Sequence, residues 1–244
     1  MDTSLLQNAA GGRIDATYHE APNTGYLALI GHGVTGNKDR PLIVGVANEL
    51  AKLGIPALRF SFSGNGKSEG RFEDCTITSE TKDLTALLDQ LSDPYRKIIY
   101  IGHSMGGAVG TLVAAEEPTR IHTLVSLAGM VHTADFFKRE FGEEVPGEGF
   151  MWEEPTCPLS QLAWDDAIAI GDTLGSIKKI AQPWLLIHGA DDDVVPLSDS
   201  KDAINSATTK TKLIERPNES HMFSENAYPE IAKAISQWVA ESEK

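Results

Sequence analysis

The sequence predicts an α/β protein: one mainly parallel sheet with helices on both faces. Three observations carry that prediction. Apolar runs of strand length alternate with stretches of helical period. Two of those runs, LIGHGVTG and YIGHSMGG, pass straight into glycine-rich turns ahead of helix-forming segments. The chain has 244 residues, enough for a single well-packed core.

The elements follow in order. A short hairpin, SLLQN and RIDATYHE around Ala10-Gly11-Gly12, is expected to form an antiparallel edge. Strands are expected at Tyr26 to Ile30, Ile55 to Phe62, Lys97 to Gly102, His122 to Ala128, Trp184 to His188 and Lys212 to Arg216. Helices fill the intervals. In the last, Ile231, Ile235, Trp238 and Val239 share one face at 3.6-residue spacing, with Ser224 as its cap and Pro229 near its start. The alternation fails over residues 131–179, where no strand-like run occurs and Pro146, Gly147, Gly149, Pro155 and Pro158 interrupt the helices. This stretch is expected to be a lid inserted between the sixth and seventh strands, with residues 1–130 and 180–244 forming the core. Phe136, Phe137, Phe150, Met151, Trp152 and Trp164 give it apolar surface, and Phe150, Met151 and Trp152 are the residues expected to meet a substrate.

Composition excludes several classes. Lys plus Arg number 21 against 35 for Asp plus Glu, a net charge of −14 that repels nucleic acid and anionic membranes. The opening MDTSLLQNAAGG has neither the basic start nor the apolar centre of a secretion signal, and no run is long enough to span a membrane. A cytoplasmic protein is expected. Cys75 and Cys157 fit no disulfide framework or metal spacing. A homodimer is compatible with the sequence, which does not set the oligomeric state.

The chemistry centres on Gly102-His103-Ser104-Met105-Gly106, a G-x-S-x-G between a strand and a helix. Three fixed positions recur by chance in about one chain in ten, so the strand–turn–helix setting carries the weight. Glycines at 102 and 106 allow a tight turn that lifts Ser104 clear of the sheet. The Met105 N–H, at a helix start, is placed to favour developing negative charge. A serine needs a base and the base needs an orienting acid. The strand WLLIHG ends in Asp191-Asp192-Asp193, and His221 lies in a loop after the next strand. The chain order is serine, acid, histidine, which among serine hydrolases belongs to the α/β-hydrolase architecture.

The resemblance extends over nearly the whole chain. GHGVTGNK resembles the oxyanion loop of the α/β-hydrolase fold family, RFSFSGNGKSEG its glycine-rich turn, GHSMGG its nucleophile elbow, and IHGADDDVVP and ESHMF its acid and histidine loops. Ser61 departs from the acidic residue that related sequences often carry there. The combination is most similar to small bacterial carboxylesterases of the feruloyl (cinnamoyl) type and to serine-aminopeptidase-like hydrolases. The family pattern G-x-x-D-x-x-V-P, laid on Gly189 to Pro196, assigns the acid to Asp192, with Asp191 and Asp193 as rivals. The resemblance also assigns the Val34 N–H as the second oxyanion donor.

The loop at Gly31, Gly33 and Gly36 also spells G-x-G-x-x-G, a dinucleotide signature. That use requires an acid at the tip of the following strand, and RFSFS offers none. No cofactor is therefore expected. No metal is either: His19, His122 and His132 lack partners at ligand spacing, and the acidic triplet lacks the alternation of a calcium loop. His32 and His188 are expected in packing or loop hydrogen bonds, and His103 beside the nucleophile shapes its surroundings at most. The expected function is hydrolysis of carboxylic esters of small acyl or aromatic acids through an acyl-serine, the partner being a small-molecule ester. A peptidase or amidase, a cofactor-free lyase and a non-catalytic ligand-binding protein are the alternatives.

Overall fold

A computed structural model describes residues 1–22, 25–94 and 96–243. Seven strands form one sheet in the order β1-β3-β2-β4-β5-β6-β7: β1 Ala16–His19, β2 Tyr26–Gly31, β3 Ala57–Phe60, β4 Lys97–His103, β5 Thr123–Leu127, β6 Trp184–Gly189 and β7 Thr211–Arg216. All neighbours are parallel except β1, which runs antiparallel along β3. The inner strands are buried along their length, and successive side chains enter opposite cores. Leu27, Leu29, Ile98 and Tyr100 join one core cluster, while Ala28, Ile30, Ile99 and Ile101 join the other. A sheet covered on both faces requires such two-sided apolar strands.

On one face α1 (Pro41–Lys52) packs beside α8 (Tyr228–Ser242); on the other lie α2 (Ile77–Gln90) and α3 (Met105–Glu116). The stripe Ile231, Ile235, Trp238 and Val239 is buried, as its spacing predicts. Each fully buried Leu or Ile contributes roughly 1.5–3 kcal/mol of transfer free energy, which is what holds these amphipathic helices on the sheet.

Three expectations need correction. The N-terminal hairpin shrinks to a single bridge between Gln7 and Arg13. The Asn8 N–H bonds to the Gly12 carbonyl and the Ile14 N–H to that of Leu6, but beyond that turn the second arm leaves the first and runs antiparallel along β3 as the expected edge. Residues 131–179 therefore fall between the fifth and sixth strands of the actual sheet. Ser224 does not cap α8 with its side chain; its hydroxyl donates to Glu219 Oε1, and a 3-10 turn, Glu225–Ala227, precedes the helix.

Between β5 and β6 the chain forms α4 (Thr133–Phe141), a 3-10 turn (Met151–Glu153), α5 (Gln161–Ile170) and α6 (Leu174–Ile177); α7 (Leu197–Ser206) follows β6. Phe136, Phe137 and Phe141 are buried and stack edge-on among themselves. Buried Asp199 of α7 accepts the Val131 and His132 N–H groups, tying down the start of the insertion. Among the described residues no helix is long and apolar enough to cross a membrane.

Candidate active site

The strand order places a crevice at the carboxyl ends of β2 and β4, because the chain runs outward from β2 to β3 and then crosses back to β4. Gly31 pairs with Gly102 in that register, so the segments leaving both strands meet. Those leaving β6 and β7 end on the same edge. There a cleft of about 330 Å³ is lined by Val34, Ser104, Trp152, Asp193 and His221, among others.

Ser104 takes φ 53° and ψ −121°, a left-handed conformation strained for any residue with a Cβ. The turn is possible only because its flanks are bare. A Cβ on Gly102 would lie 2.1 Å from the Gly106 carbonyl oxygen, and one on Gly106 would lie 2.6 Å from that of His32. On the facing loop, a Cβ on Gly33 would sit 2.7 Å from Ser104 Cβ, so glycine there lets the loop touch the serine. A bond from the Gly36 N–H to the Gly33 carbonyl closes this loop around Val34 and Thr35. The N–H groups of Val34 and Met105 have no acceptor among the described residues.

His32 holds that loop in place. Its Nδ1–H donates to the Gly33 carbonyl and its Nε2 accepts the Phe62 N–H, which fixes the tautomer. Complete burial drives its pKa down to about 4, so it is neutral.

His221 Nδ1 lies 2.9 Å from Asp192 Oδ2, and neither Asp191 nor Asp193 bonds to the imidazole. The Asp192 side chain is fully buried. Burial opposes its charge, but bonds from His188 and His221, with the Val195 N–H, outweigh it and hold the carboxyl well below the usual range. His188 Nε2–H donates to the Val195 carbonyl at 2.9 Å and lies 3.2 Å from Asp192 Oδ2, while its Nδ1 accepts from the Ser200 hydroxyl. His221 Nε2 has no partner among the described residues, and no hydrogen bond joins it to Ser104 Oγ. Serine–imidazole contacts of this kind commonly tighten only around a substrate.

Two contributors escaped the sequence reading. His103 Nε2–H donates to the His221 carbonyl at 3.0 Å, tying the turn at Ser104 to the loop of His221. His188 is the other: it holds the Val195 carbonyl and keeps its ring 3.2 Å from Asp192 Oδ2. Four residues separate His188 from Asp192, but nothing in the sequence says that the turn after β6 folds back on that strand.

Of the three insertion residues expected at a substrate, Trp152 lines the cleft and Met151 lines a neighbouring cavity. Phe150 lines neither: its backbone bridges to Pro158 and the residue is 39 % exposed. Trp152, at φ 50°, is braced by Phe141 at 4.9 Å and by a bond from its Nε1–H to Glu140. His122 contacts Glu243, His132 contacts Asp202, and His19 accepts from Arg59. Among the described residues no three His, Cys, Asp or Glu side chains gather as a metal site.

Residues 29–149 match the family model described as alpha/beta hydrolase fold. The structure of Est1E from Butyrivibrio proteoclasticus with ferulic acid bound superposes with a TM-score of 0.81, covering 96 % of this chain and 97 % of that one at 26 % identity. The chain belongs to the α/β-hydrolase fold family. This α/β-hydrolase is also 26 % identical to the bovine protein named palmitoyl-protein thioesterase ABHD10, mitochondrial, over 85 % of its own length and 73 % of the relative's. The human protein of that name is 27 % identical, with 60 % of its length matched, so the chain spans only part of these relatives. Mouse alpha/beta hydrolase domain-containing protein 10 shares the fold, with a TM-score of 0.78 at 20 % identity.

Proposed function

We propose that this α/β-hydrolase is a serine hydrolase that cleaves carboxylic esters through an acyl-serine. The observation that carries the reading is the strained Ser104 turn sharing one cleft with His221, whose Nδ1 is held by a buried, ionised Asp192.

In this mechanism a substrate carbonyl oxygen accepts from the Val34 and Met105 N–H groups, which have no other acceptor among the described residues. His221 Nε2 takes the Ser104 proton as Oγ bonds to the carbonyl carbon. Collapse of the tetrahedral species expels the alkoxide, which takes that proton from His221. Water then repeats the sequence with the acyl-serine, releasing the acid and restoring the serine. Asp192 fixes the tautomer with Nδ1–H and steadies the imidazolium. Residues 131–179 act as a lid, with Trp152 at the cleft and Met151 beside it. No step calls for a metal or a cofactor.

A thioester is a second reading, favoured by the names of the bovine and human relatives. The same residues serve both, since only the leaving group changes. The mitochondrial placement in those names belongs to the relatives; a cytoplasmic location for this chain is proposed on composition alone.

The test is labelling with a fluorophosphonate, followed by turnover of p-nitrophenyl acetate, butyrate and cinnamate, an acyl thioester and an aminoacyl p-nitroanilide, with Ser104→Ala as blank. Labelling at Ser104 with ester turnover is expected. Wild-type turnover in the blank would sink the assignment.

A further inference from the structure

Glu80 has no part in the mechanism above, yet it is 2 % exposed and its Oε2 atom has no hydrogen-bond partner among the described residues. It stands on α2 within the apolar stripe of Ile77, Leu84, Leu87 and Leu88, where the fold alone would take a leucine. An unpartnered buried acid is a liability that a ligand can remove. Burial, followed by the nearness of Asp83 and Asp166, raises its pKa well above the ordinary value. In the protonated form that this shift favours, the group has one O–H to donate and a carbonyl to accept.

Glu80 lines a narrow cavity of about 20 Å³, together with Val34, Met105, Ile77, Phe137 and Met151. That is room for one water-sized group. Val34 also lines the main cleft, so an acyl group held by the Val34 and Met105 N–H groups lies against this cavity. An alkyl terminus entering it would leave Glu80 unsatisfied, and a long chain would not fit. An ammonium group would have to shed its hydration against an uncharged acid. A hydroxyl meets neither obstacle.

We propose that this cavity receives a hydroxyl carried by a short acyl chain lying in the main cleft and that Glu80 hydrogen-bonds it, which makes hydroxyacyl esters the preferred substrates. The proposal rests on the reading of Ser104 as nucleophile.

The test compares kcat/KM for ethyl 3-hydroxybutyrate and ethyl butyrate by pH-stat titration at neutral pH. A preference of about tenfold for the hydroxy ester is expected, the worth of one well-made buried hydrogen bond. Glu80→Met should bring the ratio to about one, while Glu80→Gln, which keeps a donor and an acceptor, should retain most of it. A wild-type ratio near one, or a ratio unchanged in Glu80→Met, overturns the proposal. So does a preference for ethyl 3-aminobutyrate that disappears in both variants, since that would mark an ionised carboxylate holding an amine. Absence of both ester turnover and fluorophosphonate labelling would instead strike the hydrolase reading. Saturation-transfer NMR with 3-hydroxybutyramide and butyramide then decides the subsite alone: selective binding of the hydroxy amide, lost in Glu80→Met, supports it, and equal binding overturns it.

Discussion

His103 Nε2 donates to the carbonyl oxygen of His221 across 3.0 Å, so the residue before Ser104 anchors the loop that carries the imidazole. A carbonyl can only accept, which makes His103 the Nε2–H tautomer. Burial, reinforced by the adjacent His221, depresses its pKa to about 3 and keeps it neutral. His103→Ala should therefore lower kcat about tenfold with little change in KM, the cost of one hydrogen bond acting on position. His103→Gln, whose amide can make the same bond, should recover part of the loss. Steady-state kinetics of the two variants on one ester checks this, and the pH profile should gain no limb from His103 above about pH 4.

The φ of 53° at Ser104 is a conformational cost borne by the folded state. Ser104→Gly should relieve it, raising stability by about 1 kcal/mol and Tm by about 2–4 °C, while activity disappears. Ser104→Ala keeps a Cβ and should show no such gain. Calorimetry of the two variants separates the effect of strain from that of losing a hydroxyl.

Asp192→Asn preserves shape but lets an amide N–H face His221 Nδ1, favouring the wrong tautomer. On the proposed mechanism kcat should fall by on the order of 10⁴, the scale found for this change in triad enzymes. Asp192 also shapes acid stability. Its folded pKa is depressed below the unfolded value, so its contribution is whole above about pH 4 and drains away as pH falls toward the depressed folded pKa. Denaturant titrations from pH 6 downward should show a decline in the wild type that is shallower in Asp192→Asn.

Gly106→Ala drives a methyl to within 2.6 Å of the His32 carbonyl oxygen, which is backbone and has little room to yield. The loop bearing Val34 must then shift. A stability loss of about 1–3 kcal/mol is expected, with a larger proportional loss of activity. Equilibrium unfolding and ester turnover, measured together, test whether the two losses diverge in that way.

How much of this was legible beforehand varies with the distance over which each feature is determined. The alternation of apolar runs marked β2 through β7 to within a few residues, because a strand covered on both faces must be apolar along its length. The Ser104 turn was readable because only glycines fit at positions 102 and 106, where the backbone approaches itself. The N-terminal arm misled because its second half, Ala16–His19, finds its strand partner in β3 rather than in the first half. Glu80 was visible in principle, as an acid at spacing three and four from Ile77 and Leu84.

By itself the sequence determined the layer architecture, the strained serine turn and the order in which a serine, an acid and a histidine follow one another, since these depend on periodicity and on neighbours a few residues away. Only the tertiary structure decided that Asp192 rather than its neighbours bonds to His221, that His103 and His188 brace that pair, and that Glu80 faces a cavity. Those outcomes join positions up to 118 residues apart. Packing, which no local pattern encodes, chooses among chemically equivalent side chains by the direction each one faces.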